Sequence, residues 1–343
     1  MSGIVQYGLS FSEYLLRQNL LHMIVHVTNH CNFRCDHCFI DFSPKKDLSL
    51  DDYKALAHDV GHLFWVDIGG GEPFLRKDLA DIVAAFDAKV VTIPSNGSLP
   101  DLMERQLTRM RELTNAELVL SLSLDGLEAT HDRIRNQPGN WKQVWDTFDR
   151  LRRLGWLTIK INTVLNADNE GEIITLMNEV RTHEPDFHSI ILLRGNPADP
   201  DMKLPPMQRL REIGPEIYAI LETYDYGRQW LASYVLRNFQ RYQWNVSLQT
   251  IEEQRQVVPC IAGQGHMVVM GDGLVSSCEM LPTVGNIKAN GINEIRASKA
   301  FRDQRRSIAN KECHCTHNCA LLHSIFFNPT SLPHLLHTKI QRA

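Results

Sequence analysis

Apolar and amphipathic segments alternate along the first two hundred residues of the chain. Six apolar segments have the length and composition of β-strands, and they span residues 21–28, 64–68, 90–94, 118–124, 158–165 and 189–194. The clearest helical patterns between them span residues 51–60, 78–86, 100–113, 141–154 and 169–182. Strands and helices that alternate at this spacing predict parallel β-α-β units. Six such units form either an incomplete barrel or an open sheet.

The two faces of the predicted strands differ in polarity. One face is apolar, whereas the other carries polar residues on all six strands: His26, Thr28, Asp67, Thr92, Asn96, Ser121, Ser123, Asp125, Lys160, Asn162 and Arg194. A doubly wound sheet buries both faces and reads as continuous apolar runs. The polar face therefore predicts a partial (β/α)6 barrel with a polar interior, although any single residue of the set also fits a buried polar group satisfied within the fold.

The pattern changes after residue 196. Four prolines begin a linker and helical region over residues 197–256, and residues 257–325 predict a small cysteine-rich α+β domain. Within that domain, Gly271-Asp272-Gly273 separates two short apolar segments, which is typical of a β-hairpin. The barrel is assigned to residues 21–196, with a lead over residues 1–20 and a tail over residues 326–343.

Charge and hydropathy exclude several classes of protein. The chain has 36 Lys and Arg against 40 Asp and Glu, so it lacks the basic excess of a nucleic-acid-binding protein. No apolar run reaches the roughly 18 residues of a membrane span, and the start lacks the pattern of a signal peptide. We therefore expect a cytoplasmic protein. In such a protein, eight cysteines indicate metal binding rather than disulfide bonds.

Three of these cysteines follow the first strand directly, in the sequence Cys31-Asn-Phe-Arg-Cys35-Asp-His-Cys38. Three thiolates can bind three irons of a [4Fe–4S] cluster and leave the fourth iron open for another ligand. A zinc site and an inert structural cluster are the alternatives. The second strand ends in Gly69-Gly70-Gly71-Glu72-Pro73, where glycines permit close backbone approach and Glu72 can accept hydrogen bonds from an amine.

Together, these motifs resemble the radical S-adenosylmethionine (SAM) superfamily, most closely the group with molybdenum-cofactor and PQQ-synthesis enzymes. The resemblance covers residues 21–195 and extends loosely to about residue 325. It implies that Cys31, Cys35 and Cys38 hold the cluster and that SAM binds its open iron. The residues expected to bind the cofactor are His37, Gly70, Gly71, Glu72, Pro73, Asn96, Ser123, Asp125, Arg135, Asn162 and Arg194.

The resemblance also implies an enzyme and a reaction. SAM would be cleaved reductively to methionine and a 5′-deoxyadenosyl radical, which would abstract hydrogen from a substrate. An external electron donor such as flavodoxin or ferredoxin would supply the reducing electron. A barrel interior closed to water suits such chemistry.

The remaining five cysteines lie in the small C-terminal domain. Cys260 and Cys278 bracket the predicted hairpin, and the segment Cys313-His-Cys315-Thr-His-Asn-Cys319 follows. This pattern resembles the twitch domain, a shortened SPASM domain that carries one auxiliary [4Fe–4S] cluster; a structural zinc site is the alternative. The predicted ligands are Cys260, Cys278, Cys315 and Cys319, with Cys313 as the alternate. The spare thiol is either inert or a hydrogen-atom donor.

Charged residues of the polar face bear on the substrate. Lys160 and Arg194 beside Asp67 predict a polar, anionic small molecule, and the candidate catalytic residues are Lys160, Asp67 and Cys313. Modification of a ribosomally made peptide is the main alternative. A non-catalytic iron–sulfur or zinc scaffold, or a redox sensor, is the alternative from a different functional class.

Overall fold

A computed structural model describes residues 20–225 and 230–336, without the side chains of residues 231 and 232. The predicted lead, apart from Leu20, and residues 337–343 of the predicted tail lie outside the described residues. The strands are β1 (His22–Thr28), β2 (Leu63–Gly70), β3 (Ala88–Ser95), β4 (Glu117–Ser123), β5 (Thr158–Leu165), β6 (Phe187–Leu192), β7 (His266–Val269), β8 (Leu274–Ser276) and β9 (Gly285–Asn286).

Helices alternate with the first six strands and surround the C-terminal ones. They are α1 (Leu50–Val60), α2 (Leu79–Ala85), α3 (Pro100–Leu113), α4 (Glu128–Arg135), α5 (Asn140–Arg152), α6 (Ile173–Thr182), α7 (Met207–Leu221), α8 (Trp230–Glu253), α9 (Ile292–Ala297), α10 (Lys299–Ala309), α11 (Asn318–Phe326) and α12 (Leu332–Leu336). None of the helices in the described part of the chain is both long and apolar enough to cross a membrane.

The strands form one nine-stranded sheet in the order β6-β5-β4-β3-β2-β1-β7-β8-β9. Strands β1 to β6 pair in parallel, which confirms the expected β-α-β units. Within the described residues β6 has no second neighbouring strand, so the sheet does not close. The fold is therefore the predicted partial barrel.

The apolar face of the sheet builds the main core. Val25, Val66, Val91, Leu120 and Ile161 are fully buried on successive strands, and the apolar faces of helices α1 to α3, α5 and α6 pack against this face. Because side chains alternate along a strand, burial of this face turns the polar set inward. The register supports this arrangement: Asp67 lies beside Thr92, and Ser121 lies beside Lys160.

The C-terminal segment joins this sheet through β7, which pairs in parallel with β1 over four residues. Strands β7 and β8 form the predicted hairpin around Gly273, whose φ of 90° is one that glycine adopts readily. The boundary expected near residue 257 thus falls between α8 and a strand that continues the barrel sheet. Helices α11 and α12 pack on α8 through Leu321, Ile325 and Leu335.

Candidate active site and metal centres

The first three cysteines lie on a loop that leaves the carboxyl end of β1. Backbone hydrogen bonds hold this loop in place, because Asp36 N donates to Ile134 O at 2.9 Å and Cys38 N donates to Cys35 O at 3.1 Å. Cys35 is buried, and Cys31 and Cys38 are half-buried. The loop therefore presents three thiols at the end of the sheet where the other strand ends also meet.

The protonation of these thiols follows from their burial. Burial raises the pKa of Cys31 and Cys38, and it raises the pKa of Cys35 to about 12. The thiols are therefore neutral at pH 7 until a metal replaces their protons. Three convergent, shielded sulfurs at a protein loop fit an iron–sulfur cluster.

The glycine-rich loop packs directly on the cysteine loop. Gly71 N donates to Thr28 O at 2.8 Å, and Glu72 N donates to His30 O at 2.9 Å. A Cβ atom at Gly70 would lie 2.2 Å from Thr28 O, and one at Gly71 would lie 2.1 Å from His30 O. The sequence suggested that these glycines allow a ligand to approach. In the structure they allow the cysteine loop to approach.

Replacing Gly71 by alanine is therefore expected to destabilise the fold by about 1–3 kcal/mol, because backbone must move to admit the new methyl group. Gly171→Ala is the matched control, since a Cβ at Gly171 meets nothing within 4 Å, and a surface change of this kind alters stability by about 0.5 kcal/mol or less. Urea denaturation of both variants measures the difference. Equal effects at the two positions would contradict this role for Gly71.

Glu72 is a buried carboxyl at the start of the short 3-10 turn Pro73–Leu75. It accepts hydrogen bonds from Asn96 N at 2.9 Å, Ser95 Oγ at 3.0 Å and Phe74 N at 3.3 Å. Burial raises the pKa of Glu72 to about 7, even though these three donors lower it. A cationic amine placed here would favour the carboxylate form, so this position suits the ammonium group of an amino acid.

A second buried group links β4 and α4 to the cysteine loop. Arg135 donates to Asp125 Oδ2 through Nε at 2.7 Å, with Nη2 at 2.6 Å, and its Nη1 lies 3.9 Å from Cys35 Sγ. Burial alone would raise the pKa of Asp125, but Arg135 and His37 bring it down to about 2. His37 Nε2 lies 3.9 Å from Asp125 Oδ2, and burial lowers the pKa of His37 to about 4. Asp125, Arg135, His37 and Cys35 are thus brought together.

Other residues expected at the cofactor lie at the same end of the sheet. Asn96 Nδ2 donates to Asn32 Oδ1 of the cysteine loop at 2.9 Å, so Asn96 joins that loop to β3. Ser123 and Asn162 are register neighbours on β4 and β5, and Asn162 Oδ1 is buried with no hydrogen-bond partner among the described residues. An unsatisfied buried acceptor at a strand end is suited to a ligand donor.

Arg194 lies just beyond β6, between the two groups of cysteines. Its guanidinium carbon is 5.3 Å from the centre of the Phe39 ring, and its Nε is buried without a partner among the described residues. It acts electrostatically on His37, and also on Cys315 and Cys319 of the C-terminal segment. This cation is therefore available to an anionic ligand, in contrast to Arg135.

Lys160 and Asp67 lie deeper on the polar face. Lys160 Nζ lies 5.5 Å from the centre of the Phe187 ring, and burial lowers the pKa of Lys160. Asp67 accepts hydrogen bonds from His22 Nε2 at 3.0 Å and Trp65 Nε1 at 3.1 Å. Burial opposes its charge, but His22 and Lys160 bring the pKa of Asp67 down to about 2.

Four of the five C-terminal thiols lie near one another. Cys260 interacts electrostatically with Cys313 and Cys315, and Cys278 interacts with Cys260 and Cys315. Cys260, Cys313 and Cys315 also border one small cavity. Cys313, expected to be the spare thiol and a catalytic candidate, therefore lies within the thiol group.

Cys319 occupies a different environment. Burial raises the pKa of Cys319, Asp67 and Glu279 raise it further, and the positive charge of Arg194 opposes this effect. The structure thus places Cys319, expected to be a cluster ligand, beside Asp67 on the polar side of the barrel.

Sequence reasoning missed a buried network of histidines and carboxylates beside Cys319. Glu279 accepts from His26 Nε2 at 2.8 Å and from His317 Nε2 at 2.6 Å. His22 contacts His266, with 2.8 Å between their Nδ1 atoms. Only the positions of these residues could have indicated the network. His22 and His266 lie on paired strands, and Glu279 directly follows Cys278.

The fold and the two groups of thiols define an iron–sulfur protein built on an open parallel barrel, and comparisons with known proteins agree. Residues 25–180 match the model of the radical SAM superfamily, and residues 260–320 match the SPASM model, an iron–sulfur cluster-binding domain. The chain therefore carries a radical SAM domain followed by a SPASM domain. Iron–sulfur clusters and SAM are accordingly its cofactors.

Two similar sequences are GTP 3′,8-cyclases. The protein from Pectobacterium atrosepticum is 30% identical over 172 residues, which are 46% of this chain and 50% of that protein. The one from Marinobacter nauticus is 33% identical over 176 residues, which are 48% of this chain and 51% of that protein. The chain thus spans about half the length of the curated relatives it matches.

Solved structures show the likeness in fold. The protein anSMEcpe with bound AdoMet has a TM-score of 0.60 at 15% identity, covering 84% of this chain and 83% of that one. SuiB of Streptococcus suis bound to its precursor peptide SuiA has a TM-score of 0.62 at 14% identity, covering 88% of this chain and 70% of that one. At these identities the likeness concerns the fold alone.

Proposed function

We propose that the chain cleaves SAM reductively at a [4Fe–4S] cluster on Cys31, Cys35 and Cys38 and so starts a radical reaction on a polar small molecule. The observation that carries this proposal is the packing of the Glu72 loop on the cysteine loop, through Gly71 N to Thr28 O and Glu72 N to His30 O. This packing supports the proposal because it brings a buried carboxyl suited to an amine close to the loop with the three thiols. A scaffold or redox sensor has no use for such a site.

A cluster held by Cys31, Cys35 and Cys38, together with SAM, would supply the radical chemistry that removes hydrogen from a C–H bond. The chain's own residues bind SAM and orient it. Glu72 accepts from the ammonium group of SAM, and Arg194 holds its carboxylate because its buried Nε has no partner among the described residues. Asn162 Oδ1 accepts from a ligand hydroxyl.

Arg135 has a positioning role in this proposal. Its guanidinium fork is occupied by Asp125 Oδ2, and its remaining nitrogen approaches Cys35. It therefore fixes the buried side of the cysteine loop and offsets thiolate charge at Cys35. Asp125 in turn accepts from Val164 N at 2.8 Å, which ties the pair to β5.

The C-terminal thiols Cys260, Cys313 and Cys315 are proposed to hold an auxiliary iron–sulfur cluster, with Cys278 beside them. Their mutual proximity supports this assignment, and Cys319 is left out of the proposed set because it lies beside Asp67. Electrons would come from an external low-potential donor such as flavodoxin or ferredoxin.

The substrate is proposed to be an anionic small molecule. Lys160 and Arg194 lie on the polar side of the barrel, where a shielded cation binds carboxylate or phosphate more strongly than in water. The relatives named GTP 3′,8-cyclase carry GTP in their name, and this nucleoside triphosphate is an anionic small molecule of the proposed class. The peptide-bound neighbour shares the fold and supplies no argument for a peptide here.

Two cation variants test the proposed roles. Arg194→Gln is expected to raise the Kd for SAM by about 10- to 100-fold, because a charge-assisted contact contributes about 1.5–3 kcal/mol. Lys160→Gln is the matched control and should leave the Kd within about twofold and 5′-deoxyadenosine release under reductant intact. Equilibrium dialysis and product analysis of the anaerobically reconstituted protein measure both. If Lys160→Gln loses SAM binding and Arg194→Gln retains it, the two roles are assigned wrongly.

A further inference from the structure

Residues 296–306 form a basic face on helices α9 and α10. These eleven residues carry five Lys and Arg against one Asp, a net charge of +4, whereas the whole chain has a net charge of −4. They cover the end of α9 and most of α10. A local charge opposite in sign to that of the whole chain attracts a partner of the opposite charge to this surface.

The cations of the basic face are accessible and only partly neutralised. Four of the five are exposed: Lys299, Arg302, Arg305 and Arg306. The fifth, Arg296, is half-buried. The one carboxylate of the face, Asp303, pairs with Lys299 and Arg306. Within the described part of the chain, neither Arg296 nor Arg305 has a carboxylate oxygen within 4.0 Å.

The two unpaired arginines lie close to each other. Burial and the positive charge of Arg305 lower the pKa of Arg296. Both groups nevertheless stay charged at pH 7, because arginine keeps its proton in proteins, and each guanidinium therefore repels the other. A carboxylate of a partner placed on this face would relieve the repulsion, so the pair favours an acidic partner over a neutral one.

The opposite side of α10 packs against the C-terminal thiols. Ile308 of this helix lies in one apolar cluster with Cys278, and Cys260 and Cys313 pack against that cluster. Gln256 Nε2 donates to Ile308 O at 3.1 Å and to Cys313 O at 2.9 Å, so it joins the end of the helix to the thiol group. The same helix thus carries the basic face outside and borders the thiols inside.

Arg305 lies over the segment that leads into Cys278. A Cβ atom at Gly263 would lie 2.6 Å from Arg305 Cγ and 2.8 Å from Ser277 Oγ, so both side chains border Gly263. Gln304 Oε1 accepts from Ser277 N at 2.8 Å, which fixes α10 beside the residue before Cys278. A protein bound at Arg305 would therefore be separated from the thiol group by a single layer of structure.

Charge and position together indicate the kind of partner. The positive charge of the basic face attracts an acidic protein and accelerates its encounter with the chain. The thiols behind α10 are the ones proposed to hold the auxiliary cluster, whose chemistry is the exchange of electrons. A small interface is typical of transient electron-transfer complexes.

We propose that the basic face is the docking surface of an acidic one-electron carrier protein, of the flavodoxin or ferredoxin class, that reduces the auxiliary cluster. The inference rests on the proposed function, because it requires a cluster at the C-terminal thiols. In this step the reduced carrier loses one electron and the oxidised cluster gains it. No bond forms or breaks, and no proton is transferred.

Removing the two unpaired arginines tests the surface in the reconstituted protein. Arg296→Gln combined with Arg305→Gln should raise the Kd for an acidic flavodoxin about 3- to 10-fold at about 50 mM salt, because two exposed charge contacts are lost. Arg105→Gln combined with Arg153→Gln is the matched control. Both of these arginines are exposed, and they lie on α3 and directly after α5. The control removes the same charge and should leave the Kd within about twofold. Isothermal titration calorimetry measures both.

Electron transfer provides a second measurement. In the full chain with Cys31, Cys35 and Cys38 replaced by alanine, the auxiliary cluster is the one expected to remain, and stopped-flow absorbance follows its reduction by flavodoxin hydroquinone. Adding Arg296→Gln and Arg305→Gln should slow this reduction about 3- to 10-fold at unchanged iron content. Adding the control pair should leave the rate unchanged.

Equal Kd values and equal rates in the two double variants would overturn the proposal. So would a loss of affinity for a single-stranded RNA probe with no change toward flavodoxin, since the basic face would then be a nucleic-acid surface. A chain that holds no iron at the C-terminal thiols would refute the proposed auxiliary cluster itself. Iron analysis shows that outcome before any flavodoxin is added.

Discussion

Replacing Cys31, Cys35 and Cys38 together by alanine is expected to lower the iron of the reconstituted protein from about 8 to about 4 Fe per chain. The same variant should release no 5′-deoxyadenosine from SAM under reductant. Both effects follow because these three thiols share one loop at the carboxyl end of β1, whereas the C-terminal thiols belong to a separate segment of the chain and would keep their own cluster. Iron and acid-labile sulfide analysis, together with chromatography of the reaction products, measure the two outcomes.

Two further variants serve as controls for that experiment. Replacing Cys260, Cys313 and Cys315 together by alanine should remove the other half of the iron and leave the SAM-binding cluster in place. Cys319→Ala should leave the iron content unchanged, because Cys319 lies beside Asp67 and is not among the proposed ligands. If the native protein holds only about 4 Fe, all lost in the first variant, and zinc occupies the C-terminal thiols, the auxiliary cluster is refuted.

Arg135→Ala is expected to lower the free energy of unfolding by about 3–5 kcal/mol, because it leaves Asp125 buried, charged and without its cation. Asp125 is fully buried, so water cannot replace the guanidinium. Arg133→Ala, two residues earlier on the same helix, is the matched control. Arg133 pairs with Asp168 at the surface, and the exposed pair contributes about 0–1 kcal/mol.

Urea denaturation of the metal-free chains at pH 7 measures the two changes. The double variant Asp125→Asn with Arg135→Gln should recover part of the loss, because it removes the buried charge together with its partner. Similar destabilisation by Arg135→Ala and Arg133→Ala would show that the buried pair adds nothing beyond a surface pair.

The barrel was predictable because its strands alternate between an apolar and a polar face. Every predicted strand overlaps an observed one, and helix α4, which is only eight residues long, is the element of the barrel that the pattern did not indicate. Strand periodicity also placed Asp67 and Lys160 on the polar face. Periodicity could not indicate that Asp67 pairs with His22 rather than with Lys160, since hydrogen bonds depend on three-dimensional contacts between strands.

The sequence spacing of the C-terminal cysteines does not indicate which of their thiols lie together. Cys315 precedes helix α11, whereas Cys319 lies in its first turn, so the start of the helix turns the two side chains toward different surroundings. A spacing of four residues does not reveal such a change of direction. Likewise, the sequence predicted that Gly70 and Gly71 make room for a ligand. It could not indicate that they make room for the backbone of Thr28 and His30, because these residues become neighbours only when the chain folds.

The pairing of β7 with β1 has a consequence for the modularity of the chain. Strand β1 carries the first cysteine group at its carboxyl end and pairs along its other edge with β7, the strand that leads to Cys278. A fragment ending before residue 257 would expose that edge of β1, and an uncovered, apolar strand edge is prone to aggregate. The SPASM region is therefore an integral layer of the barrel wall, and exchanging it between relatives would require the graft to reproduce the match of His22 to His266 and the three Cα pairs that follow.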